Sequence, residues 1–219
     1  GALVVRDVDV LLVVDDSSGM ASEQARLAAA LPAFVAALTC GDRDGDGGLD
    51  FAAARSVHVG VVTSDLGSGL ELPDGELLPG CDLGLGDDGI LAPTCPDPGG
   101  ASFFDFGGAC TGDAPVDACV ASIGTGGCGF EQQLESALLA LSPSVPTAWV
   151  RSDYVAPVFS TGRAGHGDGA NAGLLRDGSL LVVVVVTDED DCSVPSTLLF
   201  SRDPRFTITG LSYRCQIFP

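Results

Sequence analysis

Leu180 to Val186 reads LLVVVVV and runs straight into Thr187-Asp188-Glu189-Asp190-Asp191-Cys192. Such a run is far short of the roughly 18 apolar residues that span a bilayer, and no other run in the chain comes closer. It also lacks the alternation of a strand with one wet face. It therefore predicts a strand buried on both faces, in the middle of a parallel sheet rather than at its edge. Val8 to Val14 (VDVLLVV) is a second such strand and stops at Asp15-Asp16-Ser17-Ser18-Gly19; Val57 to Thr63 (VHVGVVT) is a third. Between these two, apolar residues recur at helical spacing from Ser22 to Leu38, with Ser22, Glu23 and Gln24 offering helix-start chemistry. Strand, helix, strand implies a right-handed parallel unit and the α/β class.

The length, 219 residues, suits one domain spanning 1–219. Leu66 to Gly129 interrupts it, rich in Gly, Pro and Asp and carrying five of the eight cysteines. A structureless stretch of that length is unusual unless something staples it, so 66–129 reads as a disulfide-rich loop insertion. Phe130 to Leu141 returns to helical periodicity, with Phe130, Leu134, Ala137, Leu138 and Leu141 on one face, and Pro143 and Pro146 end it. Trp149 to Phe159 reads as irregular or extended, and a flexible turn over 165–169 precedes a short helix around Ala170 to Arg176. Ser193 to Leu199 is predicted to start a helix, and Phe206 to Phe218 to hold one further strand, tethered by Cys215.

Thirty acidic residues against ten arginines, with no lysine, give a formal charge of −20. That surface repels phosphate backbones, which argues against nucleic acid as a partner and leaves solubility and cation collection as its uses. The cysteines stand at Cys40, Cys81, Cys95, Cys110, Cys119, Cys128, Cys192 and Cys215. No Cys-x-x-Cys pair occurs, and only His58 and His166 are present, so a zinc site is disfavoured. An even number at wide spacing reads as disulfides, and hence as a secreted protein or one on the outer cell surface. Spacing does not choose their pairing.

Two of the apolar strands end in acid, at Asp15 and at Asp188. In an open parallel sheet, ligands bind beyond the strands' carboxyl ends, where strand order reverses. If these two strands are neighbours there, Asp15, Ser17 and Asp188 converge. Carboxylate and hydroxyl oxygens, without imidazole or thiolate, suit magnesium, calcium or manganese. A second pattern lies apart from this one: Asp42-x-Asp44-x-Asp46-Gly47-x-x-Asp50 places oxygens at one, three, five and nine of a calcium loop, with glycine at the tight turn and Leu49 where such loops turn an apolar side chain inward. Position twelve is Ala53, so the bidentate glutamate of an EF-hand is absent.

Asp15-x-Ser17-x-Gly19-Met20 after an apolar strand resembles the Asp-x-Ser-x-Ser signature of the metal-ion-dependent adhesion site in von Willebrand factor type A domains. Val184-Val185-Val186-Thr187-Asp188 is similar to that family's later strand with its metal-linked aspartate. Gly126 to Leu138 is similar to the glycine-rich loop and helix that supply a threonine ligand. Thr187 to Ser193 (TDEDDCS) and Cys128 to Gln132 (CGFEQ) resemble a secreted, cysteine-rich bacterial branch familiar from myxobacterial surface proteins. The resemblance covers 8–65 and 126–193. It implies a doubly wound, mostly parallel, Rossmann-like sheet. It also implies an adhesion-type site of Asp15, Ser17 and Asp188, holding calcium or magnesium with a position left for a partner protein's carboxylate. The chain departs from the pattern at Gly19, which stands at the second serine, and has no threonine at the helix start. Either Glu131 ligates in its place or the fold survives without that ion. Such domains usually carry two more strands with their helices, and only 31 residues follow Asp188. Either the chain is a fragment of a longer protein, or another chain covers that side of the sheet, or the final elements are reduced or missing; association with a further chain or subunit is expected.

Catalysis is not expected. Ser17 has no histidine in its motif, His58 lies within a strand, His166 sits among glycines on what reads as mobile surface, and no nucleophile elbow or phosphate loop occurs. Two readings stand: an extracellular, metal-dependent protein-binding module, or a calcium-stabilised structural subunit of a surface assembly with no adhesion site.

Overall fold

A computed structural model of the chain describes residues 7–70, 81, 84–92, 101–144 and 157–201. Strand β1 (Asp7–Val14) leads into helix α1 (Ala21–Cys40) and strand β2 (Ser56–Thr63); strand β3 (Phe104–Asp105), helix α2 (Val116–Ser122), helix α3 (Gln133–Leu141) and strand β4 (Leu180–Val186) follow, and a 3-10 turn covers Thr197–Phe200. They build a mixed α/β fold on a four-stranded sheet of order β3-β2-β1-β4. β1 pairs parallel with both β2 and β4, in register from Val14 opposite Thr63 and Val186, and only β3 is antiparallel.

The pleat explains how one strand serves two layers. Val8, Val10, Leu12 and Val14 of β1 point to the face where Leu31 and Val35 of α1 and Val116 and Val120 of α2 are buried. Leu11 and Val13 point to the other, against Ala137 and Ala140 of α3 and Leu174. Both β1 and β2 are buried along nearly their whole length, as a continuously apolar strand between two helical layers must be.

The middle position expected for β4 is not the one it takes among the described strands. Among the described residues it is the outer strand, and Leu180, Leu181, Val183 and Val185 are each 38–46% exposed. Only Val182 and Val184 pack on the α1 face. Apolar continuity fixed its strand character, but did not distinguish a covered position from an open flank. A buried ion pair secures its entry: Asp9 of β1, fully buried, accepts from Arg176 Nε (2.8 Å) and from the Arg176 backbone N–H (2.7 Å), just before β4 begins.

The 66–129 stretch does more than loop. Its second half supplies β3 and α2, and Phe104, Ala114, Val116, Cys119 and Val120 belong to the main core. Disulfide Cys40–Cys110 ties it to the end of α1, and Cys81–Cys128 joins its ends. Cys119 and Cys192 are disulfide-bonded too, so no described cysteine is free. Cys95 and Cys215 lie outside the described residues, as does the strand expected over 206–218.

Helix α3 follows its expected apolar stripe only in part, with Phe130 and Ala137 buried. Leu134 and Leu138 are 60% and 43% exposed, while Gln133, Ser136, Ala137 and Ala140 face inward. Polar contacts set that rotation: Ser136 Oγ donates to the carbonyl of Thr63 at the end of β2 (2.6 Å). The short helix expected around 170–176 is a series of hydrogen-bonded turns, among them Gly169 N–H to His166 O and Leu174 N–H to Asn171 O. His166 is not loose surface: its Nε2 lies 3.0 Å from Asp88 Oδ2. No helix among the described residues is long and apolar enough to cross a membrane.

Candidate metal centre

Helix α1 carries the chain from β1 to β2 on one side of β1, while β4 pairs with β1 on the other, all three strands running parallel. The Asp15 N–H donates to Val186 O (3.0 Å), extending the ladder by one bond and bringing the two acidic loops together. Between them lies a cavity of about 430 Å³ lined by Ser17, Gly19, Thr125, Glu131, Asp188 and Glu189, with glycines of the 126–129 loop.

Asp15, at the end of β1, is fully buried and lies behind the lining residues rather than among them. Oδ1 accepts the Ser17 N–H (2.8 Å), curling the loop, and Oδ2 accepts the Thr187 hydroxyl (2.7 Å). Its carbonyl accepts from Gln24 Nε2 (2.9 Å), and the same amide reaches Gly124 O (2.8 Å), so α1 ties the strand end to the glycine-rich loop. Glu131 is 3% exposed; burial pushes its carboxyl up to about 7, helped by the charges of Asp15, Glu189 and Asp188. A small apolar cluster of Cys81, Cys128, Phe130, Cys192, Val194 and Phe200 lies behind it, and the Cys192 N–H to Glu131 O bond (2.7 Å) binds the two walls.

Of the residues singled out from sequence, Ser17, Glu131 and Asp188 line this cavity, and Asp15 is tied to its edge through the Ser17 N–H and the Thr187 hydroxyl. Gly19 has a role beyond a missing hydroxyl: a Cβ there would lie 2.6 Å from Asp188 Oδ2, so the glycine makes room for that carboxylate. Thr125 is the residue that the sequence reading missed. A threonine does line the cavity, six positions before Glu131 on the glycine-rich loop rather than at the helix start. Thr187 and Gln133 were also passed over; the Gln133 amide lies 2.8 Å from Thr187 Oγ1 and holds the hydroxyl that holds Asp15.

The donor set is all oxygen and short of positive charge, buried at Asp15, Ser17 and Glu131 and exposed at Asp188, which fits a hard cation. These carboxylates are not drawn into a tight cage. Among the described residues, the one group of three or more acidic or metal-ligating side chains with oxygens within 4.8 Å of one another is Asp42, Asp44 and Asp50.

That group sits in the loop after α1. Gly41 closes the helix at φ 71°, and its carbonyl accepts from Asp50 N–H (2.8 Å), so the loop folds back on its own start. Asp42 accepts from Gly45 N–H (2.8 Å) and Gly47 N–H (2.9 Å), which require the left-handed turns at Gly45 and Gly47. The Gly47 N–H, foremost, holds the Asp42 carboxyl below its ordinary value. Asp46 is not part of the group; its Oδ1 accepts from Gly48 N–H (2.7 Å) instead. Leu49 is 79% exposed and does not turn inward. His58, the other candidate base, is 7% exposed with Nδ1 3.1 Å from the carbonyls of Gly173 and Leu174, far from a nucleophile's duty and fixed in the strand. Comparison with family models, curated proteins and solved structures finds no match for this chain.

Proposed function

We propose that the chain is an extracellular, cation-dependent protein-binding module, a doubly wound sheet of the von Willebrand factor type A kind whose site lies between the ends of β1 and β4. One observation carries the reading: Ser17, Glu131 and Asp188, from three separate loops, line one cavity at the strand end where the buried Asp15 accepts the Ser17 N–H. Two helical layers on opposite faces and a reversal of strand order at β1 support the doubly wound description. In this reading Asp15 and Ser17 orient the cation, Asp188 and Glu131 supply charge, and Thr125 offers a hydroxyl from the loop. Calcium or magnesium, when bound, presents a Lewis-acidic position to a carboxylate of a partner protein. The disulfides support an oxidising compartment outside the cytoplasm.

The experiment pairs wild type with Asp15→Ala. Capture of a partner from surface or culture-fluid proteins should depend on calcium or magnesium, vanish in chelator and vanish in the variant, with circular dichroism unchanged. Capture by Asp15→Ala equal to wild type refutes the reading.

A second reading is favoured by the Asp42, Asp44 and Asp50 group, the tightest convergence of acid in the described chain. There calcium serves structure alone, pinning the loop between α1 and β2 beside Cys40–Cys110 in a subunit of a surface assembly. Calcium that raises the melting temperature without altering partner capture selects this reading.

A further inference from the structure

The cavity between β1 and β4 holds more negative charge than one ion can use. Glu131, Asp188 and Glu189 line it together with the hydroxyls of Ser17 and Thr125, and no basic side chain is among the lining residues. Arg26, Arg55, Arg163 and Arg176 pair elsewhere, with Glu23, Asp7, Asp88 and Asp9. A calcium ion takes oxygens at about 2.4 Å, so two of them on opposite sides stand about 4.8 Å apart. Glu131, Asp188 and Glu189 do not form a group with oxygens within 4.8 Å of one another. One ion therefore leaves at least one of these three carboxylates unused.

Glu131 is what points to a ligand. It is 3% exposed, it lines the cavity, and no other described residue donates a hydrogen bond to its carboxylate. A buried carboxylate without a donor is strongly disfavoured, so a group entering the cavity must supply one. The space suits something larger than an ion: at about 430 Å³ it has the room of roughly fourteen waters. Access is open as well. Asp188 and Glu189 are exposed, and a Cβ at Gly126 or Gly129 of the loop wall would meet nothing within 4 Å. A hydrocarbon stem can lie along such bare backbone while its charged end reaches the acid.

We propose that this cavity receives an arginine side chain of a protein partner, whose guanidinium donates to Glu131 and Glu189. The inference rests on the reading of the cavity as a partner-binding site, and adds what the partner brings besides the group it offers the ion. Asp188 lies against Gly19 of the loop after β1 and goes with the ion. A guanidinium is planar and always charged, and its five N–H donors spread over a width that no metal ion has. With hydrogen bonds of about 2.9 Å on either side of that width, it bridges carboxylates too far apart to share one ion. The formal charge of −20 draws a basic contact surface toward the chain in the first place.

The test titrates the isotope-labelled full chain with an amidated peptide, Gly-Gly-Arg-Gly-Gly, followed by chemical shifts at pH 8 in about 0.15 M salt. The control peptide carries citrulline, which has the same shape without the charge. The arginine peptide should bind at least tenfold more tightly than the control and shift the 125–131 loop. Glu189→Gln, on the surface, should weaken it about tenfold, and Glu131→Gln should do the same. Asp42→Asn removes an equal charge from the exposed loop after α1 and should leave it unchanged. Equal binding of the two peptides overturns the proposal. So does equal weakening by Glu189→Gln and Asp42→Asn, which makes the attraction one of overall charge. Calorimetry with calcium alone keeps the two readings of the cavity apart. Arginine preference that persists in chelator, with no calcium lost on Asp15→Ala, refutes the ion and upholds the arginine. Calcium lost on Asp15→Ala, with no arginine preference, upholds the ion and refutes the arginine.

Discussion

Glu131 makes the cation site testable by pH as well as by mutation. In the folded chain its carboxyl titrates at about 7, because burial disfavours the charged form; its ordinary value is 4.5. Between those values the folded chain holds a proton that the unfolded chain has released, so stability falls as pH rises. The contribution is complete below pH 4.5, declines toward pH 7 and is fully lost above it. Each pH unit of that interval is worth about 1.4 kcal/mol, so the whole loss is about 3 kcal/mol. Asp16 and Glu135 titrate near the same pH, and the comparison must therefore be with a variant. Glu131→Gln cannot ionise; in chelator, urea unfolding from pH 4 to 8.5 should show a wild-type decline steeper than the variant's by about 3 kcal/mol in total. Calcium reverses the sign at high pH, since the ionised carboxylate is what the cation needs. Calcium should therefore stabilise wild type more at pH 8 than at pH 5, and much of that difference should be absent in Glu131→Gln. Parallel pH profiles for the two proteins in chelator would refute the reasoning, because Glu131 would then be ionised at no cost.

Other consequences can be checked separately. Gly19→Ala should displace Asp188, whose Oδ2 occupies the space a Cβ needs, and weaken cation binding between β1 and β4 by roughly tenfold, equivalent to about 1.4 kcal/mol, without touching the 42–50 loop; calorimetry would read both. Asp42→Asn with Asp50→Asn should remove one bound calcium and, at calcium about 100 times the dissociation constant, about 2.7 kcal/mol of calcium-dependent stability, seen by denaturant unfolding. Replacing Cys40 and Cys110 by serine opens a link spanning 70 residues and should cost about 4 kcal/mol in the same measurement. Asp9→Ala leaves the Arg176 guanidinium without its main partner and should cost about 3 kcal/mol, with hydrogen exchange at the start of β4 speeding up first.

The strands were legible in the sequence because a parallel strand between two layers has no reason to alternate. β1, β2 and β4 lie where their apolar runs put them, and the parallel β1-α1-β2 unit follows. What escaped depended on contacts across the chain. The α3 stripe misled because Gln133 and Ser136 are buried by bonds to Thr187 and Thr63, which no periodicity within the helix reveals. Thr125 escaped because a loop's path through glycines decides which hydroxyl reaches the cavity. Asp46 stands outside the Asp42, Asp44 and Asp50 group although all four accept backbone N–H bonds, a difference that spacing alone does not reveal. That the ends of β1 and β4 meet, with Asp15 bonded to Val186 and Thr187, was readable because two apolar strands each ended in acid.

The two flanks of the sheet are unequal. On one side β3 contributes two residues and offers almost nothing for another strand to read; on the other, β4 presents a row of seven with apolar side chains and no charge among them. Among the described residues the sheet is thus open to further pairing on the β4 side alone, and a charge placed at Val183 would penalise any apolar element laid against that side.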